Sequence, residues 1–211
     1  MTTTTAAGKV FVVDDDADVR KSLARLIAAA GWEVETLASA EECLERLSHA
    51  HGRPACLVLD VRLPGLDGLA LQERLVEDKI STPVVCITGH GDVPMSVRAM
   101  KSGAVDFLLK PLEEAALLDA IQKAVERDRQ QRQERDDTAV VRARVESLTP
   151  REREVFDLVV SGSLNKQVAA QLGISEHTVK VHRGRVMRKM CAASLAKLVG
   201  MAHRLVSLDS N

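Results

Sequence analysis

Residues 9 to about 125 alternate between two periodicities. Short apolar runs at 9–13, 55–59, 84–87 and 105–109, and the alternating segment 32–37, read as strands. Between them, 16–30, 39–47, 69–77 and 93–101 carry apolar residues at helical spacing, and a longer helix begins at Leu112. The helix from Asp16 puts Val19, Leu23, Leu26, Ile27 and Ala30 on one face and closes at Gly31; Ser39 with Glu42 forms a capping box; Gly103 closes the fourth helix. Runs such as VFVV and CLVL do not alternate with polar residues, as expected of strands covered on both faces. Five strands alternating with five helices predict a parallel sheet with right-handed crossovers.

The best topology for that pattern is a flavodoxin-like, doubly wound α/β domain with strand order 2-1-3-4-5. Beyond it the text changes. Residues 126–138 (ERDRQQRQERDDT) are charged, nearly free of apolar residues and without a heptad seam. They read as either a solvated helical extension or a disordered linker; as a helix they would hold the flanking domains ~20 Å apart. From Leu148 to Leu205 everything reads as short helices, at 150–160, 165–172, 175–190 and 194–205. The expected division is a tail at 1–8, an α/β domain at 9–125, a polar linker at 126–146 and an all-α domain at 147–211. A length of 211 residues suits two domains.

Charge divides along the same lines. Residues 1–125 hold 13 Lys and Arg against 19 Asp and Glu, a net of −6; residues 147–211 hold 10 against 5, a net of +5. An acidic half suited to a cation is thus joined to a basic half suited to phosphates. Aromatics are 2% of the chain, which argues against a pocket for a flat ligand. Cys43, Cys56, Cys86 and Cys191 form no CxxC pair and are expected as buried, reduced thiols. No apolar run approaches the ~20 residues of a membrane span. The N-terminus has no hydrophobic signal region, so a cytoplasmic protein is expected.

In an open α/β sheet the residues past the carboxyl ends of the strands share one crevice. Here those residues are Asp14, Asp15 and Asp16 after the first strand, Asp60 after the third, Thr88 after the fourth, and Lys110 followed by Pro111 after the fifth. Clustered carboxylates raise each other's pKa, and a divalent cation relieves that cost. Oxygen-only ligands favour Mg²⁺. Asp60, central in the sheet, can attack phosphorus as an acyl nucleophile, with Lys110 and Thr88 suited to phosphoryl oxygens. Taken singly, each residue could be a cap or a turn; their joint placement at four strand ends is what points to chemistry.

In the basic half, Leu172-Gly173-Ile174-Ser175 breaks two helices as in a helix-turn-helix. In the second of these helices Val179, Val186 and Met190 face inward, with a packed or capping His182 among them; Lys180, Val181, Gly184, Arg185 and Arg188 face outward. Such a stripe suits the major groove. The remaining histidines, His49, His51, His90, His177 and His203, show no metal-ligand spacing.

The segments VVDDD, LDVRLPGLDG, ITGHGDVP and DFLLKP resemble the signature segments of response-regulator receiver domains, and ITGHGDVPMSVRAMKSGAVDFLLKP is especially similar to the FixJ subgroup. LTPREREV, NKQVAAQLGISEHTVKVHRGRVMRKM and SLAKLVGMA resemble the LuxR/NarL-type helix-turn-helix domain. The resemblance implies that a sensor histidine kinase phosphorylates Asp60. It implies that Asp14, Asp15, Asp60 and the backbone carbonyl of Arg62 hold Mg²⁺ (or Mn²⁺), and that Thr88 and Phe107 form the switch. It further implies a cis Lys110–Pro111 bond. Base contacts are expected from Lys180 and Val181, with Thr178 and Gly184 at the interface, and phosphate contacts from Arg183, Arg185 and Arg188. Leu195, Leu198, Val199 and Ala202 would line a dimer helix. The implied protein is a transcription factor, not an enzyme, whose receiver assists its own phosphorylation and dephosphorylation. Phosphorylation would act in one of two ways, by releasing a receiver that covers the Lys180 face at rest or by pairing receivers through the face at 93–101 and 113–125. The long polar linker favours pairing, so a homodimer on double-stranded DNA is expected, which with RNA polymerase would activate transcription. A phosphohydrolase would place its nucleophile on the first strand, and a ligand-sensing regulator would lack Asp60 and Lys110.

Overall fold

The computed structural model describes residues 8–48 and 55–209. The expected tail, but for Gly8, lies outside the described residues, as do His49 and His51. The chain divides into two compact units, one through Gln131 and one from Arg132.

The first unit contains β1 (Lys9–Val13), α1 (Ala17–Ala29), β2 (Glu33–Leu37), α2 (Ala40–Ser48), β3 (Ala55–Asp60), α3 (Gly68–Glu77), β4 (Val84–Thr88), α4 (Val93–Lys101) and β5 (Asp106–Leu109), and then α5 (Glu114–Glu146) begins. The five strands form one parallel sheet in the order β2-β1-β3-β4-β5. Strand alternation sorts the core into two layers. Phe11, Val13, Leu57, Leu59 and Cys86 join one cluster with Leu71 and Leu75 of α3. Val10, Val12, Val58, Val85 and Ile87 join another with Ile27 of α1 and Leu117 and Ile121 of α5. Both faces are therefore buried, which explains the unbroken apolar runs. Each such side chain contributes about 1.5–3 kcal/mol of burial.

Three helices that follow strands of the sheet, α1, α3 and α4, each have an aspartate cap. Asp16 accepts from the backbone N–H of Asp18 and Val19, Asp67 from that of Ala70, and Asp92 from that of Met95. Asp16, the third acidic residue after β1, is thus accounted for as a cap. Trp32, Val105 and Leu112 fall outside the elements expected to include them; β4 reaches Thr88 and the last helix Asp209.

The polar segment after 125 is helical: α5 is a single helix of 33 residues. The second unit takes its C-terminal end together with α6 (Pro150–Val160), α7 (Asn165–Leu172), α8 (Glu176–Lys189) and α9 (Leu195–Asp209). Val141 and Val145 of α5 belong to its core, packed with Val155, Phe156, Val168, Val179, Val186, Met190 and Leu198. Gly173, at φ 64°, makes the left-handed turn between α7 and α8, and Ser175 caps α8.

Cys43, Cys56 and Cys86 are buried, but Cys191 is exposed, contrary to expectation. It sits in the turn after α8 at φ 51°, outside the apolar packing that takes Met190 and Ala192. Burial pushes the Cys43 and Cys86 thiols up to about 12.

Candidate functional site

Parallel pairing places Asp60 beside Ile87, one residue short of Thr88, while Thr88 itself pairs with Leu109, the residue before Lys110. The strand ends therefore converge as the sequence predicts. Lys110 Nζ donates to Asp14 Oδ2 and to Asp60 Oδ2, both at 2.6 Å. Asp14 is wholly buried, Asp60 is 6% exposed and Asp15 is exposed. Carboxylate oxygens of the three lie within 4.8 Å of one another. The Lys110–Pro111 peptide is cis.

The site's charges are arranged by neighbouring backbone. Arg62 donates its N–H to Asp60 Oδ1 at 2.9 Å, and Asp16 donates its N–H to Asp14 Oδ1 at 2.9 Å. Arg20 turns its guanidinium to the backbone carbonyl of Asp14 at 2.6 Å. Burial raises the Asp14 carboxyl above its ordinary range, despite the opposing hydrogen bond from Lys110. Burial alone would lower the Lys110 ammonium, but its bonds to Asp14 and Asp60 outweigh that and hold it above its ordinary value. Three carboxylates are thus clustered, and Asp14 and Asp60 share the ammonium of Lys110. The donor set is all oxygen, and its uncompensated charge suits a divalent cation of the Mg²⁺ kind.

Thr88 is wholly buried, and its hydroxyl accepts from the N–H of His90 at 3.3 Å. Phe107 is half-buried against the core. Two glycines missed by sequence reasoning govern this region. A Cβ on Gly68 would run into the carbonyl oxygen of Asp60 and come within 2.8 Å of Val61 Cα. A Cβ on Gly91 would meet Leu109 Cδ2 at 2.5 Å and Phe107 Cε1 at 3.0 Å. Both glycines lie in the signature segments, but only tertiary structure shows what they approach.

In the second unit, Val179 and Val186 of α8 are buried, and Lys180, Val181, Gly184, Arg185 and Arg188 are exposed together. Nothing lies within 4 Å of the position of a Cβ on Gly184, so no packing inside the domain requires glycine there. Thr178 is half-buried, its hydroxyl 2.9 Å from that of Ser175. Arg183 differs from the other arginines: it is half-buried and bonds Asn165 Oδ1 at 3.0 Å. His182 is packed rather than capping, with a buried Nδ1 that has no hydrogen-bond partner.

The expected dimer residues do not share one free face. Leu198 is wholly buried and Ala202 packs against the same core, so the inward stripe of α9 holds its own domain together. Leu195 is exposed and Val199 half-buried.

Comparison with known proteins identifies the families of both units. Residues 10–122 match the response regulator receiver domain, and residues 146–202 match the luxR family of bacterial regulatory proteins. The chain is 52% identical over 196 residues to nodulation protein W of Bradyrhizobium diazoefficiens, covering 93% of this chain and 86% of that one. It is 46% identical over 193 residues to the transcriptional regulatory protein FixJ of Rhizobium meliloti, covering 92% and 94%. Among solved structures it resembles the response regulator StyR, with a TM-score of 0.79 and 48% identity over 94% of this chain and 100% of that one.

Proposed function

The chain belongs to the response regulators that join a receiver to a LuxR-type DNA-binding domain, and from that premise we propose that it is a transcription factor switched by phosphorylation of Asp60. The family is one of transcriptional regulators, not of enzymes. The observation that carries the proposal is the Asp60 carboxylate at the end of the central strand, 2.6 Å from Lys110 and beside the buried Asp14.

A sensor histidine kinase is the donor. Asp60 attacks phosphorus, and the bond to the kinase's imidazole nitrogen breaks as the acyl phosphate forms. Asp14, Asp15, Asp60 and the carbonyl of Arg62 would hold Mg²⁺ (or Mn²⁺), which supplies charge neutralisation to the phosphoryl oxygens when bound. Lys110 passes from the two carboxylates to a phosphoryl oxygen, and Thr88 gives its hydroxyl to another. The hydroxyl's move leaves space that Phe107 follows. The same carboxylates and lysine serve the later attack of water that resets Asp60.

Phosphorylated chains pair through the α4–α5 face. In support, Val93 is 75% exposed and Val97, Met100 and Leu109 are also exposed, a run of apolar side chains beside the switch. Leu195 and Val199 are the α9 residues left to a second contact. The pair then binds double-stranded DNA in the cytoplasm. Lys180 and Val181 read base edges, Thr178 and Gly184 lie close to the groove, and Arg185 and Arg188 meet phosphates. RNA polymerase is recruited and transcription rises. No helix among the described residues is long and apolar enough to cross a membrane.

Acetyl phosphate with Mg²⁺ should label the wild-type chain and drive monomer to dimer in sedimentation. Asp60→Asn should do neither, since an amide forms no acyl phosphate. Labelling of the Asn variant at the wild-type rate would remove Asp60 from its role.

A further inference from the structure

The C-terminal end of α8 is held by residues from outside the helix-turn-helix. A helix leaves its last carbonyls without intrahelical donors. At α8 two of them are met by the following turn: Cys191 N–H donates to Arg188 O at 3.1 Å and Ala192 N–H to Met187 O at 3.0 Å. A third, Met190 O, accepts from Arg144 Nη1 at 3.2 Å, and Arg144 belongs to α5. Lys189, the last residue of α8, donates its ammonium to Ser147 O at 2.9 Å and to Glu152 Oε2 at 2.6 Å. Met190 is wholly buried, in one cluster with Val141 and Val145 of α5. The last turns of α5 and the residue after them therefore grip the end of α8 by the Arg144 guanidinium, the Ser147 carbonyl that takes the Lys189 ammonium, and two valines. The guanidinium also places positive charge at the helix's negative end.

Arg185 and Arg188 lie in the last turns of α8, close to that grip. We propose that Arg144 and Lys189 are positioning residues for DNA recognition: they fix the C-terminal end of α8 and through it the register of the exposed stripe on the groove. The DNA-binding domain accordingly begins inside α5, no later than Val141, rather than at residue 147. The inference rests on α8 being the helix that reads DNA. It requires neither residue to touch DNA, and Lys189 is already paired with Glu152.

The test uses the full chain. Selection from random duplexes with the wild-type protein provides a preferred duplex, and a scrambled duplex of equal length provides the reference. Arg144→Met keeps the aliphatic packing and deletes the hydrogen bond; Arg144→Lys keeps a charged donor. We expect Arg144→Met to lose about tenfold in affinity for the preferred duplex and less than about twofold for the scrambled one, with an unchanged salt slope because no phosphate contact is removed. Arg144→Lys should recover most of the loss, and Lys189→Met should repeat the pattern of Arg144→Met. Far-UV dichroism on the same samples shows whether each variant is folded, and Lys189→Met carries the test if Arg144→Met is not. Equal losses on both duplexes, a reduced salt slope or unchanged discrimination in the folded variants would overturn the inference. A wild-type chain that enriches no sequence would instead sink the reading of α8 itself.

Discussion

Replacing Gly68 by alanine puts a methyl group against the backbone that carries Asp60. Gly68 opens α3 and donates its N–H to Val61 O at 2.9 Å, so the loop after β3 is closed on itself at this point. The added Cβ would collide with the Asp60 carbonyl oxygen, lie 2.8 Å from Val61 Cα and 3.0 Å from the Asp60 carbonyl carbon. Carbon atoms pack best at roughly 3.5–4.0 Å, so the two segments must separate by about 1 Å. All the obstructing atoms are backbone, so no side chain can rotate away. Overpacking of this kind costs typically about 1–3 kcal/mol. For a receiver of this size that lowers the melting midpoint by roughly 3–12 °C. The chemical effect should be larger than the thermal one, because a displacement of about 1 Å at a reacting group can cost on the order of 10²-fold in rate. Labelling by acetyl phosphate, measured below the melting transition with scanning calorimetry alongside, checks both numbers. A variant that melts within about 1 °C of wild type and labels within about twofold would refute the claim that this close approach positions Asp60.

Two further substitutions test the second unit. Lys180→Ala should cost on the order of 1–3 kcal/mol on the preferred duplex and relax specificity there, whereas Arg188→Ala should weaken all duplexes and flatten the salt slope by about one unit; fluorescence anisotropy at several salt concentrations separates them, and equal losses for Lys180→Ala on every duplex would make it a phosphate contact. Glu152 accepts from Lys189 at 2.6 Å and closes the capping box with Thr149, which holds its carboxyl at about 2. Because that value lies below the usual glutamate range, its contribution is present above about pH 4.5 and is lost as the pH falls toward 2; Glu152→Gln should lower the midpoint of the second unit by roughly 4–8 °C at pH 7, with the gap narrowing below about pH 4.5 and closing only near pH 2, and a gap independent of pH would mean that the charge contributes nothing.

The receiver fold could be read from its sequence because its elements are defined by local patterns. Unbroken runs such as Val10–Val13 and Leu57–Leu59 require cover on both faces, and the sheet supplies it. Helix ends were visible where glycine provides the left-handed residue, as at Gly31 and Gly103. They were hidden where another residue does so. Lys79 ends α3 at φ 57° and Cys191 ends α8 at φ 51°, with Ile80 and Ala192 donating back to Leu75 and Met187. These residues carry no turn signal, because a Cβ at positive φ is disfavoured and is sustained by the surrounding hydrogen bonds.

The acidic site was readable for a related reason. In a parallel sheet, chain position fixes spatial position at the strand ends, so the sequence alone brings Asp14, Asp60, Thr88 and Lys110 together. Residues that act across elements could not. Arg20 reaches the Asp14 carbonyl from α1, Arg144 reaches Met190 from α5, and neither spacing is a motif.

The segment at 126–138 was open between helix and linker because it has no apolar face, and helices usually depend on one. The structure points to a different cause. Leu117, Ile121 and Ala124 anchor α5 in the first core, and Val141 and Val145 anchor it in the second. Between these anchors the chain need only propagate helix, not nucleate it, and propagation is easy for Glu, Arg and Gln. Gln130 to Glu126 at 3.3 Å and Gln133 to Asp137 at 3.0 Å add side-chain bonds at i,i+4 spacing. The helix thus depends on being held at both ends. Loosening the hold of Val141, Arg144 and Val145 would weaken the polar stretch of α5 as well as the end of α8, so helix continuity and recognition-helix placement share the same few residues.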